Sequence, residues 1–174
     1  MQFAKDSFFL ALQTRLAGLN PARTITLNGA SVPAVVVAEN LPPSSAEELP
    51  NAFYLEWGEA GVVAGQPGYG ALMSLECVIS YFTWGAVASM VDRGRVLGQL
   101  DSELLAICQP PNTEKQDYTQ APSADLGTKV FWSTPSFSEN EKGAVEDPAG
   151  RHADGRVERK ARITVFFFAE VTLS

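Results

Sequence analysis

Apolar positions recur along this chain with two different periods, and each change of period marks an element. Over Phe3–Leu19, Phe9, Leu12, Leu16 and Leu19 fall three and four apart, so they share one face of a predicted helix that Asn20-Pro21 ends. Asp6 suits its positive end. Thr24–Leu27 and Pro33–Ala38 are β-branched and strand-like around Asn28-Gly29, a dipeptide that tolerates the positive φ of a tight hairpin turn. After a polar stretch at Leu41–Asn51, Phe53–Trp57 resumes strand character.

Met73–Trp84 alternates. Met73, Leu75, Cys77, Ile79 and Tyr81 point one way, onto a core. Ser74, Glu76, Val78, Ser80, Phe82 and Trp84 point the other, a mixed face whose aromatic end requires cover from a loop or another subunit. Asp92–Cys108 predicts a second helix, with Asp92 as N-cap and an apolar stripe of Val91, Leu97, Leu100, Leu104, Leu105 and Cys108. Pro110-Pro111 stops it, and Asn112–Leu126 reads as polar and irregular. Lys129–Ser133 is a short strand. Past the polar Thr134–Val157, Arg162–Leu173 alternates again, placing Phe166 and Phe168 on its polar side as an aromatic pair that needs cover.

The order of helix, strands, helix and two late strands predicts an α+β fold, a mostly antiparallel sheet packed by two helices. It forms one domain over 1–174, with extended loops near 40–52, 110–127 and 134–158. Long polar excursions between elements of one sheet tend to touch something outside the domain.

Composition narrows the function. At 45% hydrophobic residues the chain can build a core, and no apolar run is long enough for a membrane helix. The N-terminal Met1–Asp6 lacks the order of a signal peptide, so a soluble cytoplasmic product without membrane contact is expected. The net charge of −7 argues against general nucleic-acid binding. The charge is uneven: residues 151–162 hold five of the thirteen basic side chains (Arg151, Arg156, Arg159, Lys160, Arg162) against two of the twenty acidic ones, Asp154 and Glu158. That stretch suits an acidic neighbour, or it is a solvated loop entering a strand.

Catalytic equipment is sparse. His152 is the single histidine, in a polar, glycine-flanked stretch, and there is no G-x-S-x-G elbow. The acids at Glu47-Glu48 and Glu139/Glu141 fall in loops. Cys77 and Cys108 make no CxxC pair and are expected as buried small hydrophobes, without a metal site or cofactor. Gly58, Gly61, Gly65, Gly68 and Gly70 fit neither GxxxxGK[ST] nor GxGxxG and read as a hairpin or loop. Arg93 and Arg95 sit where the helix dipole disfavours cations, which leaves contact with an acidic neighbour or an idle surface pair. An enzyme is therefore not expected.

The helix Phe3–Leu19, the strand set ending in Leu75-Glu76-Cys77-Val78-Ile79-Ser80-Tyr81, the helix carrying Asp92-Arg93-Gly94-Arg95-Val96-Leu97 and the two late strands around a long loop resemble the tail terminator and tail-completion proteins of long-tailed bacteriophages and phage-like particles. The resemblance is one of size and element order across most of the chain. It implies a structural virion protein, made in the host cytoplasm, forming a hexameric ring that caps the tail tube and joins it to head–tail connector proteins. It implies DNA passing through an acidic lumen without specific binding. The interface residues would be Arg93, Arg95, Arg156, Arg159 and Lys160 for acidic neighbours, with Phe82, Trp84, Phe166 and Phe168 covered by ring closure. The alternatives are a tail tube subunit or connector component, told apart by polymerisation into tubes, and a small-ligand-binding domain or hydrolase, which needs a pocket lined by Tyr54, Trp57, Tyr81 or Trp84.

Overall fold

The computed structural model describes residues 1–41, 49–65, 70–84, 90–138, 141–142, 145–146, 152–153 and 157–169. Its elements are α1 (Gln2–Leu19), β1 (Thr24–Leu27), β2 (Ala30–Pro33), β3 (Val35–Val37), a 3₁₀ turn at Ala38–Asn40, β4 (Phe53–Ala64), β5 (Leu72–Thr83), α2 (Met90–Ile107), β6 (Asn112–Asp117), β7 (Ala124–Trp132), β8 (Ser136–Phe137), β9 (Glu141–Lys142), β10 (Val145–Glu146), β11 (His152–Ala153) and β12 (Val157–Phe168). The fold is α+β, as the element order predicts.

The main sheet runs β3-β4-β5-β12-β7-β6, with β8 and β9 also on β12. Every pair in it is antiparallel except β3 with β4. β5 and β12 pair along their full twelve residues, from Leu72↔Phe168 to Thr83↔Val157, and form the spine. Leu75, Cys77, Ile79 and Tyr81 on β5 and Ala161, Ile163, Val165 and Phe167 on β12 are buried. Both helices lie on that face. From α1, Phe8 stacks edge-on against Trp57 at 5.9 Å and Trp132 at 5.1 Å. From α2, Asp101 accepts a hydrogen bond from Tyr81 Oη at 2.6 Å.

Arg15 joins the two helices. It donates to the carbonyls of Ile107 (3.0 Å), Pro110 (2.8 Å) and Asn112 (2.8 Å). It therefore satisfies the last carbonyl of α2, which has no helical partner, and ties the helix end to the segment leading into β6, with its positive charge at the negative end of the dipole. The guanidinium also lies over the Trp132 ring, 5.1 Å from its centroid, while Trp132 Nε1 donates to the Cys108 carbonyl at 2.9 Å.

Several expectations need correction. The buried stripe of α1 is Ala4, Ser7, Phe8, Leu12 and Leu16, so Phe8 rather than Phe9 leads it, and Leu19 is exposed. In α2, Ile107 is buried where Leu105 was expected. Asp92 lies in the helix's first turn, not at an N-cap, because α2 begins at Met90. Asn112–Leu126 is not irregular: β6 and β7 pair there around a turn in which Asp117 accepts from Thr119 and Gln120. Polar strands at the margin of a sheet carry no apolar alternation to announce them. Of the two readings of the glycine-rich stretch, hairpin and loop, the hairpin fits: Gly58–Ala64 is strand, the end of β4, pairing antiparallel with the start of β5. The last strand starts five residues before Arg162. Its expected end at Leu173, together with Glu47-Glu48, Gly68, Arg156 and the His152 side chain, lies outside the described residues. The Asn28-Gly29 turn is as expected: both take positive φ, 50° and 79°, closing β1 onto β2.

Two predictions follow from this packing. Arg15→Met leaves the carbonyls of Ile107, Pro110 and Asn112, from the last residue of α2 to the first of β6, without their charged donor and lowers stability by about 2–3 kcal/mol, read from urea unfolding midpoints. Burial pushes the Cys108 thiol up to about 12, partly offset by Arg15, and also raises Cys77 and Tyr81. The unfolded thiols titrate near about pH 8.5, so stability is complete below that and falls as pH rises towards about 12. The urea midpoint should drop above about pH 8.5, and Cys108→Ala should flatten the decline.

Candidate functional site

The opposite sheet face is divided. At the end where β5 finishes, Tyr54, Ser80 and Phe82 are buried, and Phe82 is only 1% exposed. Asn51 N–H donates to the Phe82 carbonyl at 2.8 Å, and Leu49 N–H donates to Tyr54 Oη at 2.5 Å. The chain itself covers this end. Phe82 therefore does not await a neighbour, contrary to the expectation from its position on the mixed face. Trp84 packs edge-on against it at 5.4 Å and remains 44% exposed.

The other end is open. Along β12, Arg162, Thr164, Phe166 and Phe168 alternate with the buried residues. Phe166 stands opposite Ser74 on β5 and Phe131 on β7, and Phe168 stands opposite Leu72. Directly paired residues share a face. Phe131, Phe166, Phe168 and Leu72 thus make one apolar surface, with Phe131 42% and Phe168 41% exposed. Two ion pairs flank it: Arg162–Glu76 at 3.3 Å and Lys129–Glu114 at 2.9 Å. An apolar centre with a charged rim is the layout of a protein-binding surface. The placement of Phe166 and Phe168 was legible from alternation. Phe131 was missed because a five-residue strand gave no phase to its outward side, and only the register against β12 reveals it.

The basic residues separate. Arg159 is on the helix side, where its guanidinium pairs with Asp101, the carboxylate that also holds Tyr81. It fixes α2 to the spine within its own chain. Lys160 faces the other side, half-buried, its backbone N–H donating to Ser138 Oγ at 3.1 Å. Arg93 Nε donates to the Trp84 carbonyl at 3.2 Å. Arg95 is exposed and lines an open groove of about 600 Å³ with Asn20, Arg23, Gly98, Gln99, Ser102 and Glu103. In it Arg23 pairs with Glu103. A second, mostly apolar cavity of about 150 Å³ lies between Phe9, Leu27 and Val35–Val37. Neither cavity is lined by Tyr54, Trp57, Tyr81 or Trp84, the residues expected around a ligand; Tyr54 and Tyr81 are buried in the fold. Among the described residues, no group of three or more His, Cys, Asp or Glu is placed to hold a metal ion, and no helix is long and apolar enough to cross a membrane.

No family model matches the chain, and no curated protein matches it. Among solved structures, a chain of the "Virion of native gene transfer agent (GTA) particle" aligns over 95% of this chain and 94% of its own, at 15% identity and a TM-score of 0.40. A likeness of that degree leaves function to be argued from the chain's own geometry.

Because Arg159 sits in the Tyr81–Asp101 node, its substitution acts on folding. Arg159→Met and Asp101→Asn each lower stability by about 1–3 kcal/mol, and together by less than the sum, in a double-mutant cycle of urea midpoints.

Proposed function

We propose that the chain is a structural virion protein of a long-tailed phage or phage-like particle: a tail terminator that forms a homo-hexameric ring, capping the tail tube and joining it to head–tail connector proteins. The observation that carries this reading is the one-sided sheet. Two helices cover one face, and the other carries an exposed phenylalanine surface that its own chain leaves bare. A surface of that kind serves assembly better than chemistry.

The order of elements supports the same reading, with an amphipathic helix, a strand set, a second helix and late strands closing one sheet. A net charge of −7 suits a lumen through which DNA slides, since like charge repels phosphate and keeps it from sticking. Arg93, Arg95 and Lys160 remain the basic candidates for acidic neighbours, and Trp84, Phe166 and Phe168 the aromatic ones. The working place of such a protein is the virion neck, after synthesis in the host cytoplasm. The reading calls for no cofactor.

The test is the mass of the purified chain by light scattering, with negative-stain images of the same fractions. The expected result is closed rings with six times the 18.7 kDa of one chain. Open tubes would move the assignment to a tube subunit. A monomer at every concentration that also fails to bind tail tubes would overturn the reading.

A further inference from the structure

The β1–β2 hairpin stands apart from the main sheet as a two-stranded sheet of its own. Ile25 pairs with Val32, and Leu27 lies two residues beyond Ile25, so the three side chains share one face. Ile25 is buried, while Leu27 and Val32 are half-buried against the core. Between this face, α1 and β3 lies the mostly apolar cavity of about 150 Å³.

Exposure separates its floor from its mouth. The lining residues Val35, Val36 and Val37 are buried, whereas Asn28 and Asn40 are exposed. Phe9, Leu27, Val32 and Leu41 line it between them. All four belong to the apolar margin of the core and keep some surface uncovered. None of the lining residues is charged, although 19% of the chain is. A charged ligand would therefore lose its hydration with nothing to replace it. A water on the valine floor is equally ill served, because it needs several polar partners. An apolar cavity of this size takes a molecule like benzene.

One lining group adds direction. Gln13 Nε2 donates to the Val35 carbonyl at 3.5 Å, which orients the amide, and no described residue donates to its Oε1. An amide oxygen beside an apolar floor accepts from a ligand that carries one donor.

We infer that this cavity is a binding site for a small uncharged molecule, with an apolar body the size of benzene and a single hydrogen-bond donor that Gln13 Oε1 accepts. The site shares no residue with the phenylalanine surface, so ligand binding and ring formation are separate properties of the chain.

Phenol is the probe, titrated into protein carrying ¹³C-labelled leucine and valine methyls and followed by NMR. The methyls of Leu27, Val32, Val36 and Leu41 should shift together and saturate, with half-saturation at about 1 mM or below. Benzene, which lacks the donor, should bind roughly threefold to tenfold more weakly, and Gln13→Leu should erase that preference. Benzoate should bind at least about tenfold more weakly than phenol. Val32→Phe fills the cavity and should weaken phenol binding by about tenfold or more. Circular dichroism and thermal melting verify folding of each variant, and Leu27→Phe is the second filler if Val32→Phe unfolds. Shifts that never saturate, shifts spread over methyls away from the cavity, or undiminished binding by a folded filler would overturn the site. Benzoate binding as well as phenol would overturn the ligand class. A Gln13→Leu variant that still prefers phenol over benzene would overturn the part assigned to Gln13.

Discussion

Everything in this fold depends on which face of the β5–β12 spine the helices occupy. Phe8, Leu12 and Leu16 from α1 and Leu97, Leu100 and Leu104 from α2 are all buried, and the inward residues of both spine strands meet them. Side chains alternate along a strand, so this choice commits every outward residue at once. Val165 and Phe167 are inside because Phe166 and Phe168 are outside. A one-residue slip of β12 would bury Arg162 and Thr164 instead, and the paired length of twelve residues makes that slip costly. The bare phenylalanine surface is thus a consequence of how the core is built.

How much of this was legible in the sequence follows from how local each signal is. The inward face of β5 was readable because Leu75, Cys77, Ile79 and Tyr81 alternate with more polar residues. The Asn28-Gly29 turn was readable because its chemistry sits in two adjacent positions. The phase of α1 was misjudged by one residue, because Phe8 and Phe9 are adjacent and only contact with Trp57 and Trp132 decides between them. β6 was invisible since Asn112–Asp117 is wholly polar; its place comes from pairing with β7 and from the buried Lys115, whose Nζ donates to the Phe168 carbonyl at 2.8 Å.

The charged side chains show the same limit most clearly. Arg159 and Arg162 are three apart in one basic stretch, yet the first pairs with Asp101 against α2 and the second is exposed on the opposite face beside Glu76. Arg15 looks like an ordinary helix residue, but its partners lie more than ninety positions away. Composition could show that basic residues cluster. It could not show that some hold the fold together while others border a surface for assembly.

The account stands on the phenylalanine surface being free in the single chain and covered in the assembly. Hydroxyl-radical footprinting read by mass spectrometry measures this directly, comparing dilute protein with isolated assemblies. The account predicts that Phe131 and Phe168 are oxidised in the dilute chain and protected on assembly, while Phe82 is protected in both. Equal oxidation of Phe131 and Phe168 in the two states would contradict it.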